Sequence, residues 1–399
     1  MTNRKQRENE LLLCCGTTEV SPKIKALVAE NLDWEYILKT ARRHRVMVIL
    51  SWHLQSICPA AIPQQVLTSL QKALRKNIHH SLHLTKELLN LLPLFEAAAI
   101  PVLAIKGPIL AQLAYNKLGL RQFSDLDILI QPEPVHEVNQ ILRDNDYQPR
   151  LHLTPAQETL FLKYDHERAF YHPEKSIKID IHWSIISHKF SFSPHSKTLL
   201  QNPYHVTIGN QKVPTISPEN RLLFLCAHGA KHNWNQLNWI ADIAPLLKQQ
   251  SFSWDKVRKK AGKLGTKTMI LLGIFLAYKL FNAPLPPELL KKIEEYPKLT
   301  LLGKQVEEKM LTDPSLTSNN IYLGTMESRS DKFTFWFDVI MTPTAREFEL
   351  LPLPKWLEIL YYPILLLRLA VKCSIIFLSK SFASLRLGAI NLKYHEDNR

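Results

Sequence analysis

Apolar residues recur at helical spacing over the first ninety or so residues, give way to short alternating runs, and then return to helical spacing. Ile24, Leu27 and Val28 after Ser21-Pro22 form a first stripe, which Trp34, Ile37 and Leu38 continue. Val46 to Leu50, Val66 to Ile78 and Leu82 to Leu94 follow, and the spacing predicts helices that pack around whatever comes next. From 93 to 215 strands alternate with helices, the pattern of an α/β or α+β core. The predicted strands are Pro101 to Ile105, Asp125 to Ile130, Tyr147 to Leu151, His166 to Tyr171 and Ser176 to Trp183. Helices are predicted at Pro108 to Leu118 and Val135 to Leu142. A further strand at His205 to Ile208 reaches Gly209-Asn210, a good two-residue hairpin turn. Ser217-Pro218 opens a helix, and Trp254 to Leu264 and Thr268 to Leu280 are helical again.

Two of these strands carry charge in a way that changes the picture. Side chains on a strand point to opposite faces in turn, so Asp125 and Asp127 project on one side, about 6.5 Å apart, with Leu126, Ile128 and Ile130 on the other. Carboxylates this close repel each other unless a cation sits between them or one is protonated. A hard cation such as Mg²⁺ (or Mn²⁺) is held by one or two carboxylates together with substrate phosphates. In Ser176 to Trp183 the apolar face is Ile177, Ile179, Ile181 and Trp183, and the other face is Lys178, Asp180 and His182. Asp180 is either a third acid for the same cation or an edge-strand carboxylate in solvent.

The ordered set of Lys106-Gly107 with Leu110, then Arg121-x-x-Ser124-Asp125-x-Asp127, resembles the nucleotidyltransferase superfamily with the DNA-polymerase-beta-type core. Its closer form is similar to the bacterial family of uncharacterised nucleotidyltransferases and to toxin and abortive-infection nucleotidyltransferases. The motif spans about 25 residues and the general likeness covers residues 85 to 250. The resemblance implies an α+β fold: a mixed sheet with flanking helices, plus N-terminal and C-terminal helical regions. It implies metal-dependent transfer of an NMP from an NTP, ATP by default, to an acceptor hydroxyl. Asp125, Asp127 and Asp180 are then the catalytic metal ligands, with Lys106, Gly107, Ser124 and Arg121 on the nucleotide. The acceptor stays open among tRNA, protein, peptide and small molecule. One departure is Pro108, where the superfamily has Gly or Ser; it suits a first helical turn but removes an N–H.

His228 and His232 share one helix face, the spacing of a zinc protease, but Gly229 stands where the activating Glu belongs. Lys231 and His232 are instead expected to meet phosphates, with Arg221 earlier on the same helix; the alternative is a packed helix pair with polar ends. Trp239-Ile240-Ala241-Asp242 matches a later motif of the resemblance.

The 399 residues suffice for several domains, read as 1-92 helical, 93-215 the nucleotidyltransferase core, 216-310 helical and 311-399 C-terminal. A formal charge of +14 points to polyanionic partners or to solvated helix faces. A non-catalytic module binding RNA or an anionic membrane is the alternative function. Five scattered cysteines argue for reduced thiols and against structural zinc, and no secretory leader is read at the N-terminus, so the expectation is cytoplasmic. Residues 356–379 are strongly apolar but contain Pro363, Arg368 and Lys372. A docked helix, a spanning helix and peripheral membrane contact through 356–386 are the open readings.

Overall fold

The computed structural model describes residues 3–186, 196–249, 252–311, 321–351 and 353–371. Residues 372–386 of the apolar C-terminal segment and its basic sequel, and Cys373, lie outside the described residues, as do residues 312–320 of the polar stretch. The chain forms two compact units: residues 1–150 with 166–332, and residues 151–165 with 333–399.

In the first unit four helices come first: α1 (Asn3–Cys14), α2 (Lys23–Val28), α3 (Trp34–Arg43) and α4 (Met47–Ile57). The two stripes expected at Val66 to Ile78 and Leu82 to Leu94 are one helix, α5 (Gln64–Ala97). No Gly or Pro falls between them, so nothing stops the first helix before the second begins. Pro93 is accommodated inside the last turns of α5.

The sheet that follows is built from β1 (Leu103–Ala104), β2 (Asp125–Leu129), β3 (Gln148–Pro149), β4 (Glu167–His172) and β5 (Ile177–His182). Its order is β1-β2-β5-β4-β3. β2 and β5 run parallel, and every other neighbouring pair is antiparallel, so the sheet is mixed. The architecture is therefore α+β with flanking helices, as the resemblance implied. The strand expected from Tyr147 to Leu151 pairs at Gln148 and Pro149, and the Arg150 N–H donates to the Ala169 carbonyl just beyond. Helix α6 (Pro108–Tyr115) starts on Pro108 and stops at Asn116, which is left-handed, three residues short of the expected end. Helix α7 (Val135–Asp144) follows β2, burying Val135, Val138 and Leu142 as its stripe requires. Leu126, Ile128, Ile179 and Ile181 are wholly or nearly wholly buried on the apolar face of the sheet, with Leu84, Leu88, Leu91 and Phe95 of α5 also in the core.

A second, two-stranded sheet is the predicted hairpin: β6 (Tyr204–Ile208) and β7 (Gln211–Thr215), with Ile208 opposite Gln211 and Gly209 at φ +59°. Ser217 caps α10 (Pro218–Lys231) by accepting from the Asn220 N–H, after the short α9 (Ser196–Leu200). Helices α11 (Leu237–Gln249), α12 (Trp254–Lys263) and α13 (Lys267–Phe281) complete the part of this unit that matters for the site.

The second unit contains α8 (Pro155–Tyr164), which the sequence reading left unassigned, although Thr154 and Gln157 form a capping box at its start. Phe161 packs against Phe348, and Gln157 donates to the Phe348 carbonyl. Arg368 pairs with Glu347, whose carboxylate also accepts from Thr344. That pairing gives the charge in the middle of the apolar stretch a protein partner. Among the described residues no helix is long and apolar enough to cross a membrane.

Candidate active site

Alternation and register together assemble the polar face of the sheet. Asp125 and Asp127 stand on one face of β2, and in the parallel neighbour Asp125 is paired with Lys178, Asp127 with Asp180 and Leu129 with His182. Lys178 lies between two of the acids, its Nζ 2.6 Å from Asp180 Oδ2 and 3.7 Å from Asp125 Oδ2. Lys106, just past β1, donates to Asp127 Oδ1 at 3.1 Å. His182 Nε2 is 3.2 Å from the same oxygen, and its Nδ1 is 3.2 Å from Glu167 on β4, the residue directly opposite it. His182 thus lies between two carboxylates, hydrogen-bonded to Asp127 through Nε2.

The electrostatics separate the acids. Burial opposes ionisation of Asp127, but the Lys106 charge and the His182 hydrogen bond outweigh it and hold this carboxyl well below its usual range. Asp180 goes the other way: burial raises it, and the Lys178 ammonium offsets only part of the penalty. Burial also works against Glu167, yet the surrounding His182, His166, Lys231 and Lys106 lower it.

The turn that brings Lys106 here depends on Gly107, which has φ +53° and lies so close to β2 that a Cβ would sit 3.3 Å from the Asp125 carbonyl oxygen. Only glycine adopts this conformation at little cost. Arg121, in the segment leading into β2, donates from Nε and NH2 to both oxygens of Asp242 at 2.9 to 3.2 Å. Tyr115 donates to the same carboxylate at 3.0 Å. Burial works against the Arg121 charge, and Asp242 more than offsets it. The pair ties α6 and the approach to β2 onto α11.

The end of α10 supplies a third wall. Phe224 lies under the Lys106 ammonium, 5.2 Å from Nζ to the ring centroid. His228 and His232 are 4.7 Å apart, ring to ring, and both meet Trp239. Burial, then Lys106, pushes His228 well below the usual histidine range, and burial with Lys231 pushes His232 down to about 4. Both rings are therefore neutral at pH 7. Gly229 is required here because a Cβ would lie 2.2 Å from the Trp234 ring.

Of the residues expected from sequence, Asp125, Asp127, Asp180 and Lys106 share the polar face, and Gly107 forms the adjoining turn. Ser124 is exposed beside Asp125. Arg121 is buried on Asp242 instead of facing the acids, and Arg221 is buried and donates to the Ile216 carbonyl. The sequence reading gave no role to Lys178, His182 or Glu167. The first two were legible as sharing the Asp180 face. Glu167 depended on the β4–β5 register, which no local pattern fixes.

Residues 30–282 match the model of the uncharacterised nucleotidyltransferase family. The chain belongs to that family. No curated protein matches it. Among solved structures, the lincosamide antibiotic adenylyltransferase LnuA, bound to lincomycin, is similar to it at 20% identity over 41% of this chain and 97% of that one, with a TM-score of 0.29. For this nucleotidyltransferase the matched span takes in all seven strands of the described residues, both halves of the Arg121–Asp242 pair and the His228–His232 helix.

Asp180 Oδ1 is buried with no hydrogen-bond partner among the described residues, beside two further carboxylates on one face. Such hard oxygens fit Mg²⁺ or Mn²⁺. As the side chains stand, no three acids, histidines or cysteines among the described residues are grouped to hold a metal ion; Lys178 and Lys106 are seated on the acids.

Proposed function

We propose that this chain is a divalent-metal-dependent transferase that moves an NMP from an NTP, ATP by default, to an acceptor hydroxyl. The observation that carries the reading is the meeting of Asp125, Asp127 and Asp180 on one face of two parallel strands, with Lys106 beside them. These three acids would hold Mg²⁺ or Mn²⁺, with Lys178 withdrawn from between Asp125 and Asp180. Once bound, the cation lowers the pKa of an acceptor hydroxyl and offsets charge on the departing pyrophosphate.

The protein's own residues bind and orient. Lys106 and the backbone of the Gly107 turn face the triphosphate, and exposed Ser124 adds a hydroxyl donor at the mouth. Lys231 brings positive charge from the end of α10. His232, neutral at pH 7, offers a ring N–H without charge repulsion. Arg121 acts through Asp242 by fixing the segment that delivers Asp125. Glu167 and His182 orient Asp127.

The test is NTP turnover with and without Mg²⁺ in the parent and in Asp125→Ala, a half-exposed position where the change spares the core. Metal-dependent pyrophosphate release that disappears in the variant supports the reading. Undiminished transfer by Asp125→Ala overturns it. A second reading, a module without chemistry that binds RNA or an anionic membrane, draws on Pro108, which removes an N–H beside the phosphates. Exposed Trp356, Ile359 and Leu367 in the second unit favour peripheral membrane contact as its form. RNA or liposome binding with no NTP affinity would support that reading.

A further inference from the structure

From Tyr36 to Lys86 the chain has no Asp or Glu in 51 residues, but eight Lys and Arg, more than half of the net +14. The second half of this run is the solvent face of α5. Lys72, Arg75, Lys76, His79, His83 and Lys86 recur at three- or four-residue steps and are all exposed, forming one stripe about 21 Å long. No ion pair engages Lys72, Arg75, Lys76 or Lys86 among the described residues. A solvated helix face usually mixes signs; this one leaves its charges unanswered.

The stripe leads to the acids. Asn77 donates to the carbonyls of Gly119 and Arg121 at 2.8 and 3.1 Å, and His80 hydrogen-bonds the Phe123 backbone, both on the segment that enters β2 at Asp125. His83 Nε2 is 3.1 Å from the Lys175 carbonyl, in the turn before β5. The middle of the stripe therefore runs beside the ends of both acid-bearing strands.

We infer that this face of α5 is the track for a single-stranded nucleic acid whose terminal hydroxyl is the acceptor at Asp125, Asp127 and Asp180. This rests on the transfer reading above. The chemistry selects the partner. The four cations, three within about one turn at Lys72, Arg75 and Lys76 and a fourth at Lys86, lie along one helix face as phosphates lie along a backbone. Exposed His79 and His83 add rings on which bases stack. A membrane-surface helix needs a free apolar face, and the apolar face of α5 (Leu84, Leu88, Leu91, Phe95) is in the core.

The experiment uses full-length protein and a labelled single-stranded RNA of 20 nucleotides, with anisotropy read between 50 and 200 mM KCl. Four phosphate contacts predict a log–log slope of about −2.8, roughly a 50-fold loss of affinity over that range. The charge reversal Lys72→Glu, Arg75→Glu and Lys76→Glu combined should weaken RNA binding at least tenfold and remove labelling of RNA from NTP. It should leave metal-dependent NTP affinity as in the parent, because none of the three residues touches the acids. Exchange of the same lysines for arginine should restore binding. RNA affinity unchanged by the reversal, or no RNA binding at 50 mM salt alongside intact NTP turnover, overturns the track and leaves the transfer reading standing. Binding of anionic vesicles or polyglutamate through the same residues in place of RNA also overturns it. RNA binding through the stripe without any NTP turnover keeps the track as a docking surface and overturns the transfer reading.

Discussion

Asp242→Ala should be among the most damaging single changes in this protein, and its consequence separates two roles for Arg121. The side chains of Arg121 and Asp242 are only 8% and 1% exposed, and three short hydrogen bonds join them. Removing one member of a buried pair leaves an uncompensated charge and costs about 3–5 kcal/mol. Tyr115 loses its acceptor as well, which adds roughly 1 kcal/mol or more. Against a total stability of about 5–15 kcal/mol, a loss near 4 kcal/mol removes a large share of it. Urea titration followed by tryptophan fluorescence reads this directly, since Trp239 is on the same helix as Asp242. Replacing both partners, Arg121→Met with Asp242→Leu, removes the stranded charge and should return the midpoint to within about 2 kcal/mol of the parent. A loss below about 1 kcal/mol in the single variant, or a double variant worse than the single, would refute the argument. The double variant then decides function: NTP affinity kept at the parent level marks Arg121 as a positioning residue, and affinity lost from a stable fold marks it as a nucleotide ligand.

Lys178→Met removes the ammonium seated between Asp125 and Asp180 and should raise Mn²⁺ affinity about tenfold or more, given that unit charges about 4 Å apart near a surface interact by up to ~4 kcal/mol. Free Mn²⁺ measured by EPR checks this, and unchanged or weaker affinity would mean that the lysine does not stand in a cation's place. For pH, His44 is the informative group: burial with the neighbouring Arg43 pushes it down to about 4, while its Nδ1 accepts from the Leu237 N–H and its Nε2 faces the Met310 carbonyl. The folded form keeps it neutral and the unfolded chain takes up a proton near 6.5. Its stabilisation is therefore complete above pH 6.5 and falls as pH drops towards 4, by about 3 kcal/mol in all. His44→Gln should flatten that part of the stability–pH curve, and a variant curve parallel to the parent's would refute the assignment.

How far the sequence revealed this site follows from the range of each interaction. Asp125, Asp127, Asp180 and the shared face of Lys178 and His182 were readable because period-two alternation is local. The meeting of Asp127 with Asp180 was not, because it needs β2 and β5 to run parallel in one register across 52 intervening positions. Arg121 was expected on phosphate; its partner Asp242 lies 121 residues away, where only the folded chain can put it. The apolar stripe of α5 is interrupted at Asn77 to Ser81, where Asn77 and His80 bond the 119–123 segment and His79 faces solvent, so the spacing alone predicts two helices. Residues 151–165 gave helix signals at Thr154 and Gln157, but nothing local says that α8 packs with residues from 333 onward.

The charges on the polar face bear on the proposed metal dependence independently of any relative. Four carboxylates (Asp125, Asp127, Asp180 and Glu167) face three ammonium groups, Lys106 and Lys178 on the sheet side and Lys231 at the end of α10, which leaves a formal charge of −1. A triphosphate brings several negative charges more. At an effective dielectric near 20, each pair of like charges 4 Å apart costs about 4 kcal/mol, more than a few hydrogen bonds return. On the proposed reading, the nucleotide would therefore arrive with its own divalent cation, or the face would first be loaded with one. On that reading Lys178, which pairs with Asp125 and Asp180, would give way to the cation. It is about 39% exposed, so it can withdraw to solvent without breaking the core. Asp127, held by Lys106 and His182, would stay in position through that exchange.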